Sequence, residues 1–385
     1  MNYPLNHNSW GNEELRAIKK TLDSGIYTYR GKYVKEFEKK FSKFFKTKYA
    51  IMVNSGSSAN LVAIASLFYK KNKPLKRGDE VIVPALAWST TYHPLQQFGL
   101  KVKLVDIDID TLNVNVETVM KAVSKKTKLI LGVSILGNPV ELHKLKSFCN
   151  RKKIYLMEDN CESMGATINN KFTGTYGIVN TFSTFFSHHI STIEGGLVLT
   201  NDKEIYNLAL SLRSHGWTRD NQNSFYMKKY QSMYESYCFV LPGYNLRPNN
   251  LFAAAGLEQL KKFNKLLQIR RDNHKVFSKI FENDERFIVQ KLVGNSACFS
   301  FTFILKKKYI NQKNSIIKKL KKLKIEFRQI AGGSFIRHPV KKYYNYSIHK
   351  NLKNANYVHD HGFFVGNHCR PLTKELSLLK KALKN

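Results

Sequence analysis

The sequence predicts an α/β protein built on an open, largely parallel sheet covered by helices on both faces, and three observations carry that reading. Seven short runs rich in branched and aromatic residues recur along the first half of the chain: "YAIMVNS", "EVIVP", "KVKLVDI", "TKLILGVSIL", "IYLMED", "VNTFST" and "GGLVLT". Nearly continuous apolar runs of this length suit strands that are buried on both faces. Segments with apolar residues at helical spacing fill the intervals, and such an alternation closes as a mostly parallel sheet. The texture changes near residue 250, where long amphipathic helices take over. A boundary there separates a large domain with an N-terminal arm, residues 1–250, from a smaller α+β domain, residues 251–385.

Taken in order, "NEELRAIKKTLDSG" reads as a helix stopped by its glycine. "NLVAIASLFYKK" follows the first strand and "VETVMKAVSKK" the third, both with apolar residues spaced for one helical face. Past residue 250, "NNLFAAAGLEQLKKFNKLLQIRRDNHKVFSKIF" begins the helical part, "FSFTFILKKK" alternates like a strand, and "NSIIKKLKKLKIEF" is a helix leading into another strand. The lysines of that last helix read as a solvated face.

Bulk properties exclude several classes. With 385 residues and 43% hydrophobic content the chain can bury a large core. No apolar run approaches the roughly eighteen residues of a membrane span, and the start shows no signal pattern, so a cytoplasmic protein is expected, with no membrane partner. Cys149, Cys161, Cys238, Cys298 and Cys369 are scattered and odd in number, without a CxC or CxxC pair, and read as reduced thiols. The formal charge of +35 is carried mostly by lysines spread along the chain. No nucleic-acid module accompanies them, so no nucleic-acid partner is expected; attraction for anionic, phosphorylated ligands is.

Three local features fall at the carboxyl ends of predicted strands, where open α/β sheets bind ligands. "NSGSSAN" places Gly56, Ser57 and Ser58 at a helix start, suited either to a phosphate or merely to a turn and cap. "IYLMEDNCESMGA" ends a strand on Glu158 and Asp159, with Glu162 close behind. A carboxylate there either keeps a heteroaromatic ring nitrogen protonated or caps a helix. "TFSTFFSHHISTIEGG" sets Ser183, His188, His189 and the Gly195–Gly196 turn between two strands. Adjacent histidines point in different directions and no neighbouring acid completes a ligand set, so no metal is expected. One histidine as a base and one as a structural partner is the better division.

In this order and spacing these features resemble the sugar-nucleotide aminotransferase family, DegT/DnrJ/EryC1/StrS. Further stretches carry the resemblance: "YTYRGKYVKEFEKKFSKFF", "GDEVIVPALAWSTTYHPLQQFGLKVKLVDID", "LGNPVEL", "LRSHGWTRD", "PGYNLRPNNLFAAAGLEQL" and "GFFVGNH". The resemblance implies the pyridoxal-phosphate aspartate-aminotransferase (type I) fold, with a seven-stranded sheet in the large domain. It also implies a homodimer with shared active sites. In that family a lysine five residues after the phosphate-binding serine anchors the cofactor covalently. Here five residues after Ser183 is His188, and no lysine occurs from Phe172 through Asp202. The same replacement marks the family's 3-dehydratase branch. An iron–sulfur member of that branch needs four cluster cysteines with a close pair, which this sequence lacks.

The resemblance therefore implies pyridoxal 5'-phosphate and pyridoxamine 5'-phosphate held without a covalent bond, and no iron–sulfur cluster. Gly56, Ser57 and Ser183 would meet the phosphate, Trp88 the ring face, Asp159 the pyridine nitrogen and Glu162 the ring hydroxyl. Glu162 departs from the aminotransferases' glutamine but agrees with the dehydratase branch. Asn245 would reach the phosphate from a neighbouring subunit. His188 is the candidate base and acid, on the expectation of an ordinary imidazole pKa near 6.5. The implied reaction strips the C3 hydroxyl from a nucleotide-linked 4-keto-6-deoxy sugar. L-glutamate is cosubstrate, and 2-oxoglutarate and ammonia leave. Tyr27, Thr28, Tyr29, His215, Arg219, Glu326 and Arg328 are the candidate substrate contacts. Two rival readings are a 4-aminotransferase that uses His188 as proton shuttle and a noncatalytic binder of cofactor or sugar.

Overall fold

The computed structural model describes residues 2–219 and 238–383. Among these residues the main sheet has eight strands. All seven expected runs are present: β1 (Tyr49–Val53), β2 (Glu80–Pro84), β3 (Lys101–Val105), β4 (Thr127–Val133), β5 (Tyr155–Asp159), and two more beyond a short ribbon. The ribbon is β6 (Thr167–Ile168) with β7 (Lys171–Phe172); the two further strands are β8 (Val179–Ser183) and β9 (Gly196–Thr200). These seven are the strands expected of residues 1–250, and the eighth is added from the later part of the chain. Later in the chain, after β10 (Phe287–Ile288), β11 (Ser300–Leu305) and β12 (Phe327–Arg328), β13 (Tyr346–Ile348) pairs parallel with β3. Its flanks bond as well, since Val102 N–H donates to Asn345 and His349 N–H to Leu104. An unpaired β3 edge would expose a row of backbone donors and acceptors, and a short late strand covers it.

The order is β1-β9-β8-β5-β4-β2-β3-β13, and only β9 runs against the rest. The carboxyl ends of β1, β2, β4, β5 and β8 therefore share one edge of the sheet, with the start of β9 beside them. Helices α1 (Asn12–Asp23), α2 (Lys32–Phe44), α3 (Gly56–Phe68), α4 (Ser89–Gln97), α5 (Val116–Ala122), α6 (Leu142–Lys152) and α7 (Lys203–Leu212) belong to this part of the chain. The glycine stop expected after the first helix is Gly25, at φ 69°. Helix α3 is buried along most of its length, which its small residues Ala59, Ala63 and Ala65 permit against β8 and β9.

Helix α8 (Asn250–Phe281) spans about 48 Å. Its first half packs on α1 and α2. Its last turns carry Phe277 and Phe281 into a second core with Phe287, Phe301, Phe303 and Phe363. That core lies on an antiparallel sheet of order β10-β11-β14-β12, where β14 is Gly362–Gly366. Helices α9 (Lys313–Lys322), α10 (Lys353–His361) and α11 (Thr373–Leu383) complete the chain. Tyr3 is also fully buried in this second core, its hydroxyl 2.5 Å from the Gly366 carbonyl. The N-terminal residues Pro4 and Leu5 are thereby drawn to the sheet edge that carries the site. No described helix is long and apolar enough to cross a membrane.

Candidate active site

A cavity of about 630 Å³ opens at the carboxyl edge of the main sheet. It is lined by Gly56, Ser57, Trp88, Asp159, Glu162, Ser183, His188, Glu326 and Arg328, nine of the residues singled out from the sequence. None of the described lining residues is a lysine.

One wall is the start of α3. Ser55 caps the helix, its hydroxyl accepting from Ser58 N–H at 3.1 Å, while Ser57 Oγ donates to Thr90 at 3.0 Å. Gly56 is required by close approach: a Cβ there would lie 2.7 Å from Ser183 Cβ, 3.1 Å from Ser183 Oγ and 3.0 Å from Cys161 Sγ. The bare backbone leaves a cradle with two serine hydroxyls and the positive end of a helix, a donor set suited to phosphate. The cap is Ser55, and Ser57 and Ser183 line the cavity.

The two acids ending β5 have separate duties. Glu158 is fully buried and accepts from the N–H groups of Gly174, Tyr176 and Gly177 at 2.6–2.7 Å. Burial raises its pKa despite those donors, and its role is to hold the 174–177 turn. Asp159 instead lines the cavity. Its Oδ2 accepts from Asn60 Nδ2 at 2.9 Å and Thr91 Oγ1 at 2.8 Å, and its Oδ1 from Cys161 N–H at 3.2 Å. A carboxylate aimed this firmly fits a ring nitrogen. Glu162 accepts from Leu136 N–H at 2.8 Å and is pushed up to about 7. Burial is the main cause, the Leu136 N–H opposes it, and the charge of Asp159 adds to it. Trp88 stands at the mouth with 56% exposure, a large aromatic face free to cover a planar ring.

His188 lies on the loop between β8 and β9, its ring edge-on to Phe185 and Phe299 at 5.9 and 5.2 Å. Its Nδ1 is buried without a hydrogen-bond partner. The expectation of an ordinary imidazole is corrected. Protein packed around all but the cavity side, and then the charge of Arg270, lower its pKa to about 3. The ring is neutral at physiological pH, able to accept a proton, and once charged it is a strong acid. His189 is fully packed away, with Nε2 3.0 Å from the Ala297 carbonyl, as the structural reading expected.

The remaining candidates form a second cluster, apart from the cavity within one chain. Thr28 bridges to Asn249, and Tyr27 carbonyl accepts from Asn250 N–H at 2.8 Å. Ser214 Oγ donates to the Tyr29 hydroxyl at 3.3 Å, and Ser214 bridges to Asn245. His215 N–H donates to Tyr244, Arg219 lies over Trp217 at 5.4 Å, and Asn245 accepts from Arg247 at 2.9 Å. Asn60, Thr91 and Arg270 escaped sequence reasoning. The one signal for Asn60 is a polar residue amid the apolar run of α3.

A phosphate cradle, an aimed carboxylate and an exposed aromatic at the carboxyl edge of this sheet define a pyridoxal-phosphate enzyme of the aminotransferase fold. The chain belongs to the DegT/DnrJ/EryC1/StrS aminotransferase family, which it matches over residues 8–375. It is 47% identical to the GDP-4-keto-6-deoxy-D-mannose 3-dehydratase of Escherichia coli O55:H7, across 100% of both chains. A solved GDP-4-keto-6-deoxymannose-3-dehydratase H188N mutant with bound GDP-perosamine is 46% identical over 100% of both chains, with TM-score 0.96. Another, with a trapped PLP-glutamate geminal diamine, is 46% identical over 100% of both chains, with TM-score 0.95.

Proposed function

We propose that the protein is a pyridoxamine-phosphate-dependent 3-dehydratase of a nucleotide-linked 4-keto-6-deoxy sugar, GDP-4-keto-6-deoxy-D-mannose, with L-glutamate as cosubstrate. The observation that carries this reading is His188 in a cavity whose described lining holds no lysine. Nothing there offers the cofactor a covalent anchor. The reaction balances: the sugar exchanges its C3 hydroxyl for hydrogen, and glutamate becomes 2-oxoglutarate and ammonia.

Gly56, Ser57 and Ser183 hold the phosphate, Trp88 covers the ring, and Asp159 holds the ring nitrogen's proton. Bound there, the cofactor supplies an amine for the sugar ketone and a conjugated ring that accepts electrons. Asn60 and Thr91 keep Asp159 aimed. Glu162, with its raised pKa, retains a proton near neutrality and offers it to the ring hydroxyl side. His188 takes up a proton at the imidazole and, made acidic by its surroundings, returns it to the departing hydroxyl. Glu326 and Arg328 line the outer wall, where the arginine suits a diphosphate. The cluster of Tyr27, Thr28, Tyr29, His215, Arg219 and Asn245 meets the cavity of a second copy, making the working unit a homodimer with shared sites. What supports this is that these residues neighbour one another in one chain while none of them lines that chain's own cavity.

The test is to incubate the protein with cofactor, glutamate and the 4-keto sugar nucleotide and to weigh the products. A 3-deoxy-4-keto sugar with equimolar 2-oxoglutarate is expected; a product with nitrogen at C4 and oxygen at C3 refutes dehydration. Gly56→Ala, by crowding Ser183, should weaken cofactor binding at least about tenfold by absorbance titration. Unchanged affinity would place the phosphate elsewhere.

A further inference from the structure

Arg270, on α8, is 5% exposed, and its hydrogen bonds go to main-chain carbonyls. Nη1 donates to Phe299 at 3.2 Å and to Asn367, and Nη2 donates to His188 at 3.3 Å. Phe299 sits just before β11 and Asn367 just after β14. Asn367 closes the arrangement, its Nδ2 donating to the carbonyls of Arg270 at 2.9 Å and Cys298 at 2.7 Å. Among the described residues no carboxylate pairs with this guanidinium; the ionisable groups acting on it are Cys369 and Cys298. Burying a cation without a counter-ion is costly, and a well-packed apolar residue would cost less if filling space were its whole role.

We propose that Arg270 is a positioning residue for the reaction, its guanidinium fastening the His188 main chain to the strand ends of the second sheet so that the imidazole keeps one direction into the cavity. The proposal rests on His188 being the proton carrier. Two contacts beside it act in the same sense: His189 is tied to Ala297, and Phe299 lies edge-on to His188 at 5.2 Å. The cation has a second effect. Charged groups around the cavity are Asp159 at the end of β5 and Glu162 just beyond it, Glu194 on the loop, and Glu326 and Arg328 at β12. Burial first, and then the charge of Arg270, lower the pKa of the imidazole.

Two substitutions separate geometry from charge. Arg270→Lys keeps the charge, but one ammonium cannot span three carbonyls as the planar fork does; Arg270→Gln removes the charge. In holoenzyme with isotope-labelled histidine, the His188 imidazole is followed by NMR against pH, and turnover is measured at saturating substrate. R270Q should move the His188 titration toward the ordinary value and lower kcat at least about tenfold, with little change in KM. R270K should leave the titration near that of the parent and still lower kcat about tenfold. Turnover within twofold of the parent in R270K, or an unmoved titration in folded R270Q, overturns the proposal. If R270Q does not fold, the kcat of R270K decides. An H188N control with parental turnover would instead remove His188 as proton carrier, a failure distinct from that of the clamp.

Discussion

Turnover of an H188N variant is expected to fall about 10²–10⁴-fold while cofactor binding persists. Asparagine is close to histidine in size and keeps polar contacts, but it has no titratable nitrogen. Gly56, Ser57 and Ser183, proposed to hold the phosphate, and the carboxylate of Asp159 stand on other elements, so they survive the change. Among the groups lining the cavity, Asp159 is committed to Asn60, Thr91 and Cys161, and Glu162 to Leu136. Glu326 accepts from Leu5 N–H at 2.9 Å, and Glu194 lines the cavity from the same loop as His188, so the variant sets the imidazole against Glu194 as the proton acceptor. The measurement is single-turnover formation of deoxygenated sugar by mass spectrometry, with cofactor content followed by absorbance. A variant within fivefold of the parent would mean that the proton moves by another route.

The second large effect is on stability. His274 and His368 are buried, at 6% and 1% exposure, and burial is the main cause holding each at a pKa of about 4. His274 packs on Phe277 and Phe301, and His368 lies edge-on to Tyr3. In the unfolded chain each binds a proton below about 6.5, whereas the folded protein resists until about 4. The unfolded state therefore holds more protons in this window, and folding stability falls as the pH drops. Between pH 7 and 4.5 the loss is about 2 kcal/mol per histidine, about 4–5 kcal/mol for the pair. That is comparable with the whole stability of many domains. His188 and His189 act in the same direction, while the raised carboxyls of Glu158 and Glu162 act against it. Urea midpoints of the cofactor-free protein across this range should decline steeply, and His274→Phe should flatten part of the decline. A midpoint that holds steady down to pH 4.5 would show that these imidazoles are already protonated or already exposed.

Legibility followed the range of the interactions. The seven strand runs were readable because burial on both faces demands unbroken apolar residues, a local pattern. Tyr346–Ile348 was not: it is three residues long and largely exposed, and it is a strand only because the β3 edge lies beside it. That Asp159 and Ser183 line the cavity was readable because a strand's carboxyl end is a position in the sequence as well as in space. Glu158 and Asp159 could be told apart only from the hydrogen bonds, since one faces the 174–177 turn and the other the cavity. Asn60, Thr91 and Arg270 belong to helices or their starts, and nothing near them in sequence announces a partner some 30 to 100 residues away.

By itself the chain determined its alternation of strands and helices and the polar residues placed at the strand ends. It also set an imidazole where the family resemblance implies an amine, because these follow from residue type and spacing. Tertiary structure alone decided which acid faces the cavity, that the N-terminal tyrosine seals the second core, and that burial and Arg270 lower the pKa of His188. Those outcomes depend on dielectric surroundings and on distances between segments remote in sequence, and neither is encoded within any one stretch.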